Sequence, residues 1–138
     1  RMLAELDLDL ARVHFTGPLP RPDYHAVLQV TNAHVYLTVP FVLSWSMLEA
    51  MSTACPMVVS DTDPVREFMD HGETGLMADF HDPQAIAEAT ERLLDDRADA
   101  RRFGAAARAR IVEGYDLEDI ARRKRAMLEE ALAARRGV

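Results

Sequence analysis

Apolar residues along the chain fall into short continuous runs and longer stretches in which they recur at helical spacing. The short runs are rich in β-branched and aromatic residues, which is typical of buried strands in a parallel sheet. They are RVHFTG at 12–17, AHVYLTV at 33–39, PMVVSD at 56–61 and GLMADF at 75–80. The pattern therefore predicts four strands separated by helices.

Helix start and stop signals stand between and after these runs. An Asp precedes each of four helical stretches, and in two of them a Pro follows that Asp, as at the start of many helices. The predicted caps are Asp23, Asp63, Asp82 and Asp116. Gly72 is the predicted stop of the helix that Asp63 begins. The last two helices are predicted at roughly 98–113 and 117–135.

This order predicts an α/β fold with a Rossmann-like parallel sheet flanked by helices, because strands that alternate with helices pair in parallel. Residues 12–95 supply the strand–helix units, and 98–135 supply the C-terminal helices, of one domain that spans 1–138. Ligands of such sheets bind beyond the carboxyl ends of the strands. A ligand site is therefore expected among the loops at 17–22, 40–46, 60–64 and 80–82.

Composition narrows the classes of function. The chain has 138 residues, enough for one domain, and its net charge of −7 argues against a general nucleic-acid or anionic-membrane surface. The basic cluster at 122–125 is surrounded by acids and is interpreted as a solvated helix face. No apolar run approaches the roughly 18 residues of a membrane span, and no signal peptide opens the chain. A cytoplasmic protein is therefore expected.

Cysteine and carboxylate usage gives no indication of a metal site. The single cysteine, Cys55, excludes an internal disulfide and is interpreted as a small buried thiol, because no base is placed to activate it. Asp61 and Asp63 flank a helix start and are interpreted as capping residues, so no metal and no other cofactor is predicted. The chain begins at Arg1 and not at Met, and we expect it to be a piece of something longer.

The stretch PFVLSWSMLEAM at 40–51 places an acid, Glu49, in an apolar helix just after a predicted strand. Ser46 and Glu49 fit the capping box S-x-x-E, which needs no ligand. The same helix start would also aim free N–H groups at the ligand crevice, where they suit a diphosphate, and a carboxylate one turn further can accept hydrogen bonds from the two hydroxyls of a ribose. From these residues alone, both interpretations are open.

The order of motifs around this stretch resembles the C-terminal, donor-binding domain of the retaining group 1 glycosyltransferases of GT-B fold. The resemblance covers roughly residues 12–95 and rests most on the LEAM block at 48–51 followed by Pro56. A strand that ends in Gly precedes the block, and a P-x-x-E helix start and a G-x-x-G-L turn follow it. The resemblance implies the C-terminal half of a GT-B fold that lacks its first strands.

The resemblance also implies roles for residues of the helix start. In that family the Glu of the LEAM block binds the ribose of the nucleotide, and here it is Glu49. Backbone amides just before it face the diphosphate and the donor sugar, and here they belong to Ser44, Trp45 and Ser46. The Arg and Lys that the family contributes to the diphosphate come from earlier segments and are expected outside this chain.

Other family positions are matched less well. The loop after the first strand flanks the nucleobase in the family, which maps onto Gly17, Pro18 and Leu19. Phe41 stands where the family usually carries an earlier Glu associated with the donor sugar. Glu67 matches a family Glu at the start of a helix, where an acid is favourable for the helix dipole alone, and a structural role is favoured for it.

The function implied by the resemblance is donor binding in a glycosyltransferase that transfers a hexose from a nucleoside-diphosphate sugar with retention. An N-terminal domain absent from this chain would bind the acceptor, the complete enzyme could be peripheral to a membrane, and the chain alone is expected to be inactive. Two alternatives are kept: a sugar-nucleotide epimerase of GT-B fold and a non-enzymatic Rossmann-like interaction module.

Missing first strands would leave sheet edges open. We therefore expect the strands at 12–17 and 33–39 either to collapse together or to pair with a second copy of the chain.

Overall fold

The computed structural model describes residues 8–39 and 42–136 and shows a three-stranded parallel sheet flanked by helices. The strands are β1 (His34–Tyr36), β2 (Met57–Ser60) and β3 (Leu76–Ala78), in the order β1-β2-β3. The helices are α1 (Arg21–Val30), α2 (Trp45–Ser52), α3 (Asp63–Arg66), α4 (Pro83–Asp95), α5 (Arg97–Tyr115) and α6 (Leu117–Arg136). The predicted α/β class with a parallel sheet is confirmed.

The central strand β2 is buried along its whole length. Val58 lies opposite Val35 of β1 and opposite Leu76 of β3, so that β2 uses both of its edges in hydrogen bonding. Alternate residues of β2 then supply the two faces of the sheet. Met57 and Val59 pack into one apolar cluster, and Val58 packs into the other.

The two clusters explain which helices cover the sheet. The first contains Met47 and Met51 of α2 together with Leu28 of α1, and the second contains Leu93 of α4 and Phe103 of α5. α5 contributes to both, because its residues Ala107 and Ile111 belong to the first cluster. Burial of these side chains supplies most of the driving force for the fold.

A close backbone contact joins α5 to the turn between α2 and β2. Ala54 in that turn has a φ of +59°, and a Cβ added to Gly104 of α5 would lie 2.2 Å from the Ala54 carbonyl oxygen. Only glycine allows this approach, so the position of α2, which carries Glu49, depends on Gly104.

The first predicted strand is absent. A 3-10 turn at Leu10–Arg12, capped by the side chain of Asp9, is followed by residues 13–17 without regular structure. The predicted collapse of this segment onto the second strand is therefore wrong. The second predicted strand is shorter than 33–39, and Val35 is 40% exposed because β1 forms an edge of the described sheet.

Three of the helix starts depend on Asp side chains. Asp82, Asp96 and Asp116 each accept hydrogen bonds from backbone N–H groups in the first turn of the helix that follows. The predicted caps Asp82 and Asp116 are thus confirmed, and Asp96 was not predicted.

The other two predicted Asp caps are wrong. Pro20 precedes α1, so Asp23 lies inside its first turn. Thr62 precedes α3, and Asp63 is the first helical residue. α3 ends at Arg66, well before Gly72, whose φ of +79° belongs to the turn that leads to β3.

The last helix, α6, is exposed along almost its whole length. Its basic cluster at 122–125 is exposed, as predicted, and so are the apolar side chains of Leu117, Met127, Leu128 and Leu132. Among the described residues, no helix is both long enough and apolar enough to cross a membrane.

Candidate functional site

The candidate site lies where β1 and β2 end and α2 begins. Ser60, the last residue of β2, is fully buried, and its hydroxyl accepts a hydrogen bond from Thr38 N at 3.0 Å and donates one to Thr38 O at 2.9 Å. The Tyr36 hydroxyl accepts a hydrogen bond from Ser44 N at 2.9 Å. These contacts fix the chain as it leaves β1 and set where α2 starts.

The first turn of α2 is capped by Ser44. Its Oγ accepts hydrogen bonds from Ser46 N at 3.3 Å and from the Ser46 hydroxyl at 2.9 Å. Ser44 and Ser46 therefore use their amides within the protein. Trp45, the first residue of the helix, is 83% exposed.

Glu49 is not part of a capping box, contrary to one of the two interpretations above. The cap is Ser44, which places Glu49 in the second turn of α2, too far along to reach back to the cap amide. Its Oε1 lies 3.2 Å from Nη2 of Arg21, the first residue of α1. The Glu49 side chain is 31% exposed and the Arg21 side chain 76% exposed, so that this ion pair faces solvent.

Tyr24 lies one turn after Arg21 on α1 and is close to the same carboxylate. Burial raises the pKa of the Tyr24 hydroxyl, and the negative charge of Glu49 raises it further. Because Arg21 and Tyr24 both belong to α1, Glu49 lies at the contact between α1 and α2. Arg21 and Tyr24 were not predicted as site residues, since Arg21 stands in a proline-rich segment, PLPRP, that predicts a loop.

The predicted nucleobase loop leads directly into α1. Gly17 has a φ of +62°, Pro18 is exposed and Leu19 is half-buried. Four residues after Gly17, the chain reaches Arg21 and its contact with Glu49. The loop is thereby joined directly to the helix whose first residue contacts Glu49 of α2.

The two weaker candidates, Phe41 and Glu67, do not join this site in the described residues. Phe41 is not among the described residues. Glu67 is exposed and follows the last residue of α3, so that the prediction of an acid in a first helical turn is wrong. The Glu67 carbonyl accepts a hydrogen bond from Arg110 at 3.3 Å, which ties α3 to α5.

The carboxylates after β2 are engaged with an arginine. Arg66 donates from Nε to Asp61 at 2.7 Å and from Nη1 to Asp63 at 3.0 Å. The hydrogen bond from Arg66 holds the pKa of Asp61 below its usual range. Within the described part of the chain, no group of three or more His, Cys, Asp or Glu side chains is arranged to hold a metal ion.

The family described as glycosyl transferases group 1 matches residues 3–110, and the chain belongs to that family. Glycogen synthase of Mycobacterium tuberculosis is 31% identical over 137 residues, which cover 94% of this chain and 32% of that protein. The structure of sucrose-phosphate synthase from Thermosynechococcus elongatus superposes with a TM-score of 0.80 and 28% identity, over 90% of this chain and 31% of the other.

A more distant structure shares the fold. HepE of Anabaena in complex with UDP-glucose gives a TM-score of 0.74 at 18% identity, over 80% of this chain and 30% of HepE. The chain thus spans about a third of the length of the proteins that it matches. The resemblance stated from the LEAM block and its surroundings is confirmed at the level of family and fold.

Proposed function

We propose that this chain is the nucleotide-sugar-binding part of a glycosyltransferase, and that the complete protein transfers a hexose from a nucleoside-diphosphate sugar with retention. The family supports a glycosyltransferase. The observation that carries the donor-binding role is the placement of Glu49, a solvent-accessible carboxylate on α2 at the carboxyl end of the sheet, where α/β folds bind nucleotides.

The chemistry of the two neighbouring groups fits the two parts of a nucleoside diphosphate. Glu49 can accept hydrogen bonds from the two hydroxyls of a ribose, which a phosphate cannot offer. The first turn of α2 provides positive potential for the diphosphate. We assign Gly17, Pro18 and Leu19, whose segment leads to the Arg21–Glu49 pair, to contacts with the base.

Catalysis in the complete protein would be electrostatic. As the glycosidic bond breaks, negative charge develops on the leaving diphosphate, and amides and cations aimed at it stabilise the transition state. No metal is assigned to this role. Since the family's cationic residues and the acceptor-binding part are expected outside this chain, we expect the chain alone to bind nucleotide without turnover.

Calorimetric titration with UDP, GDP and ADP tests this proposal, with UDP first because HepE, which shares the fold, is described with UDP-glucose. Glu49→Gln keeps the size of the side chain and removes its charge, and we expect it to weaken binding about tenfold, the lower range for a hydrogen bond to a charged group. Glu91→Gln on α4 is the matched control and should leave affinity unchanged, because Glu91 is an exposed acid on a different helix.

Three results would count against the proposal. Absence of binding by all three nucleotides would remove the donor-binding role and favour a non-enzymatic interaction module. Equal affinity of the wild-type chain and Glu49→Gln would show that nucleotide binds without Glu49. Hydrolysis of UDP-glucose by the chain alone would contradict the expected lack of turnover.

A further inference from the structure

We propose that Arg21 is a positioning residue for the ribose-binding carboxylate, and that it strengthens the preference of the site for ribose over 2′-deoxyribose. Arg21 acts through Glu49, because its Nη2 lies 3.2 Å from Oε1 of that residue. This inference rests on the proposed role of Glu49 as the ribose acceptor.

The position of Arg21 is set by the helix that carries it. Residues 21, 24 and 28 recur at helical spacing on the face of α1 that meets α2. Leu28 is buried in the core at 3% exposure, and Tyr24 packs against the same cluster. Arg21 therefore extends from a helix anchored in the core toward a residue of the neighbouring helix, and the ion pair crosses the contact between α1 and α2.

The chemistry of the pair leaves room for a diol. An ionised carboxylate has about four acceptor positions, and the hydrogen bond from Arg21 occupies one of them on Oε1. The remaining positions can accept the two ribose hydroxyls. Since a free Glu side chain loses rotamer entropy when it is fixed, a carboxylate that Arg21 already holds in place loses less of it when the nucleotide binds.

The expected size of the effect is modest. Ion pairs between solvent-exposed residues are weak, and the Arg21 side chain is 76% exposed. A loss of positioning should therefore change ribose recognition by a few-fold, and should leave binding of the diphosphate itself nearly unchanged.

The test compares each of UDP, ADP and GDP with its 2′-deoxy form by calorimetry. For the wild-type chain we expect the ribonucleotide to bind about tenfold more tightly, as for one hydrogen bond to a charged acceptor. In Arg21→Ala this ratio should fall to about threefold, with the loss confined to the ribonucleotide, and Arg21→Lys should recover part of it. In the Glu49→Gln background, Arg21→Ala should change nothing further.

Arg122→Ala is the matched control. Arg122 is also 76% exposed and also pairs with a carboxylate, Asp119, but lies on α6. It should leave both affinities and their ratio as in the wild-type chain. Circular dichroism spectra of all variants check that the helices are retained.

Three outcomes would overturn this inference, and only the last of them would also overturn the proposed function. A ribose-to-deoxyribose ratio that Glu49→Gln lowers and Arg21→Ala does not would overturn the role of Arg21 alone. Tighter binding of the ribonucleotide by Arg21→Ala would show that Arg21 competes with the ribose for Glu49. Lack of binding of any nucleotide by the wild-type chain would overturn the proposed function, and this inference with it.

Discussion

Gly104 and Gly114 lie on the same helix, and the same substitution should have opposite effects at the two positions. In Gly104→Ala, the added Cβ would lie 2.2 Å from the Ala54 carbonyl oxygen, where ordinary contacts begin at 3.4 Å. α5 would have to move away from the turn by about 1.2 Å, the difference between these two distances. At Gly114, an added Cβ meets nothing within 4 Å.

The free energies follow from packing and helix propensity. A forced displacement of this kind costs about 3 kcal/mol, the upper range for overpacked cores, because the obstacle is backbone and because the buried residues Phe103 and Ala107 move with the helix. Alanine returns about 1 kcal/mol of helix propensity at either position. We therefore expect Gly104→Ala to destabilise the chain by about 2 kcal/mol, and Gly114→Ala to stabilise it by up to about 1 kcal/mol.

Thermal unfolding followed by circular dichroism measures both variants. For a chain of this size, 1 kcal/mol corresponds to a change of about 3–4 °C in Tm. Gly104→Ala should lower Tm by roughly 7 °C, and Gly114→Ala should raise it by up to about 4 °C. An unchanged or raised Tm for Gly104→Ala would show that α5 does not lie against the Ala54 turn, and hence that α2 is not held as described.

Three further predictions concern titration, reactivity and association. Burial lowers the pKa of His34 below its ordinary value of 6.5, so below pH 6.5 the unfolded state takes up a proton that the native state does not. The stability of the chain should therefore fall as the pH falls through 6.5. Urea midpoints measured at several pH values should show a smaller fall for His34→Gln than for the wild-type chain. Burial raises the pKa of the Cys55 thiol to about 11, so a thiol reagent at pH 8 should label Cys55 only after the chain unfolds. Rapid labelling of the native chain would contradict the burial of Cys55. β1 lies at an edge of the described sheet, and this edge remains a predicted site of self-association. Sedimentation at rising concentration should detect the association, and Val35→Lys should weaken it. A monomer at every concentration would exclude it.

The elements that sequence predicts best here are those with strong local signals. The apolar run that forms β2 is buried on both faces, and Asp82 caps α4 as its position before Pro83 indicates. The run at 12–17 has the same composition as a strand, but no described strand pairs with it, and a strand is stable only with a neighbour. Local pattern alone does not supply that neighbour.

Part of the candidate site could also be predicted, because its residues are close together in the sequence. Ser44 to Ser46 and Glu49 lie on one continuous segment, and the LEAM motif that marks it is read directly from the chain. Arg21 and Tyr24 reach Glu49 from a different helix, 28 positions away in the case of Arg21. Ser60 at the end of β2 likewise contacts Thr38, 22 positions away, just after the end of β1. Such contacts depend on how the helices and strands pack, which the motif does not contain.

Fluorescence of Trp45 during titration with a nucleoside diphosphate tests the central claim most directly. Trp45 is the one tryptophan of the chain, it is 83% exposed, and it opens the helix that carries Glu49. If the nucleotide binds at the start of α2, its emission should change with a saturation curve that gives the same Kd as calorimetry, and Glu49→Gln should shift both curves to higher concentration. Binding that calorimetry detects while the emission of Trp45 stays constant would place the nucleotide elsewhere on the protein and contradict the assignment of this site.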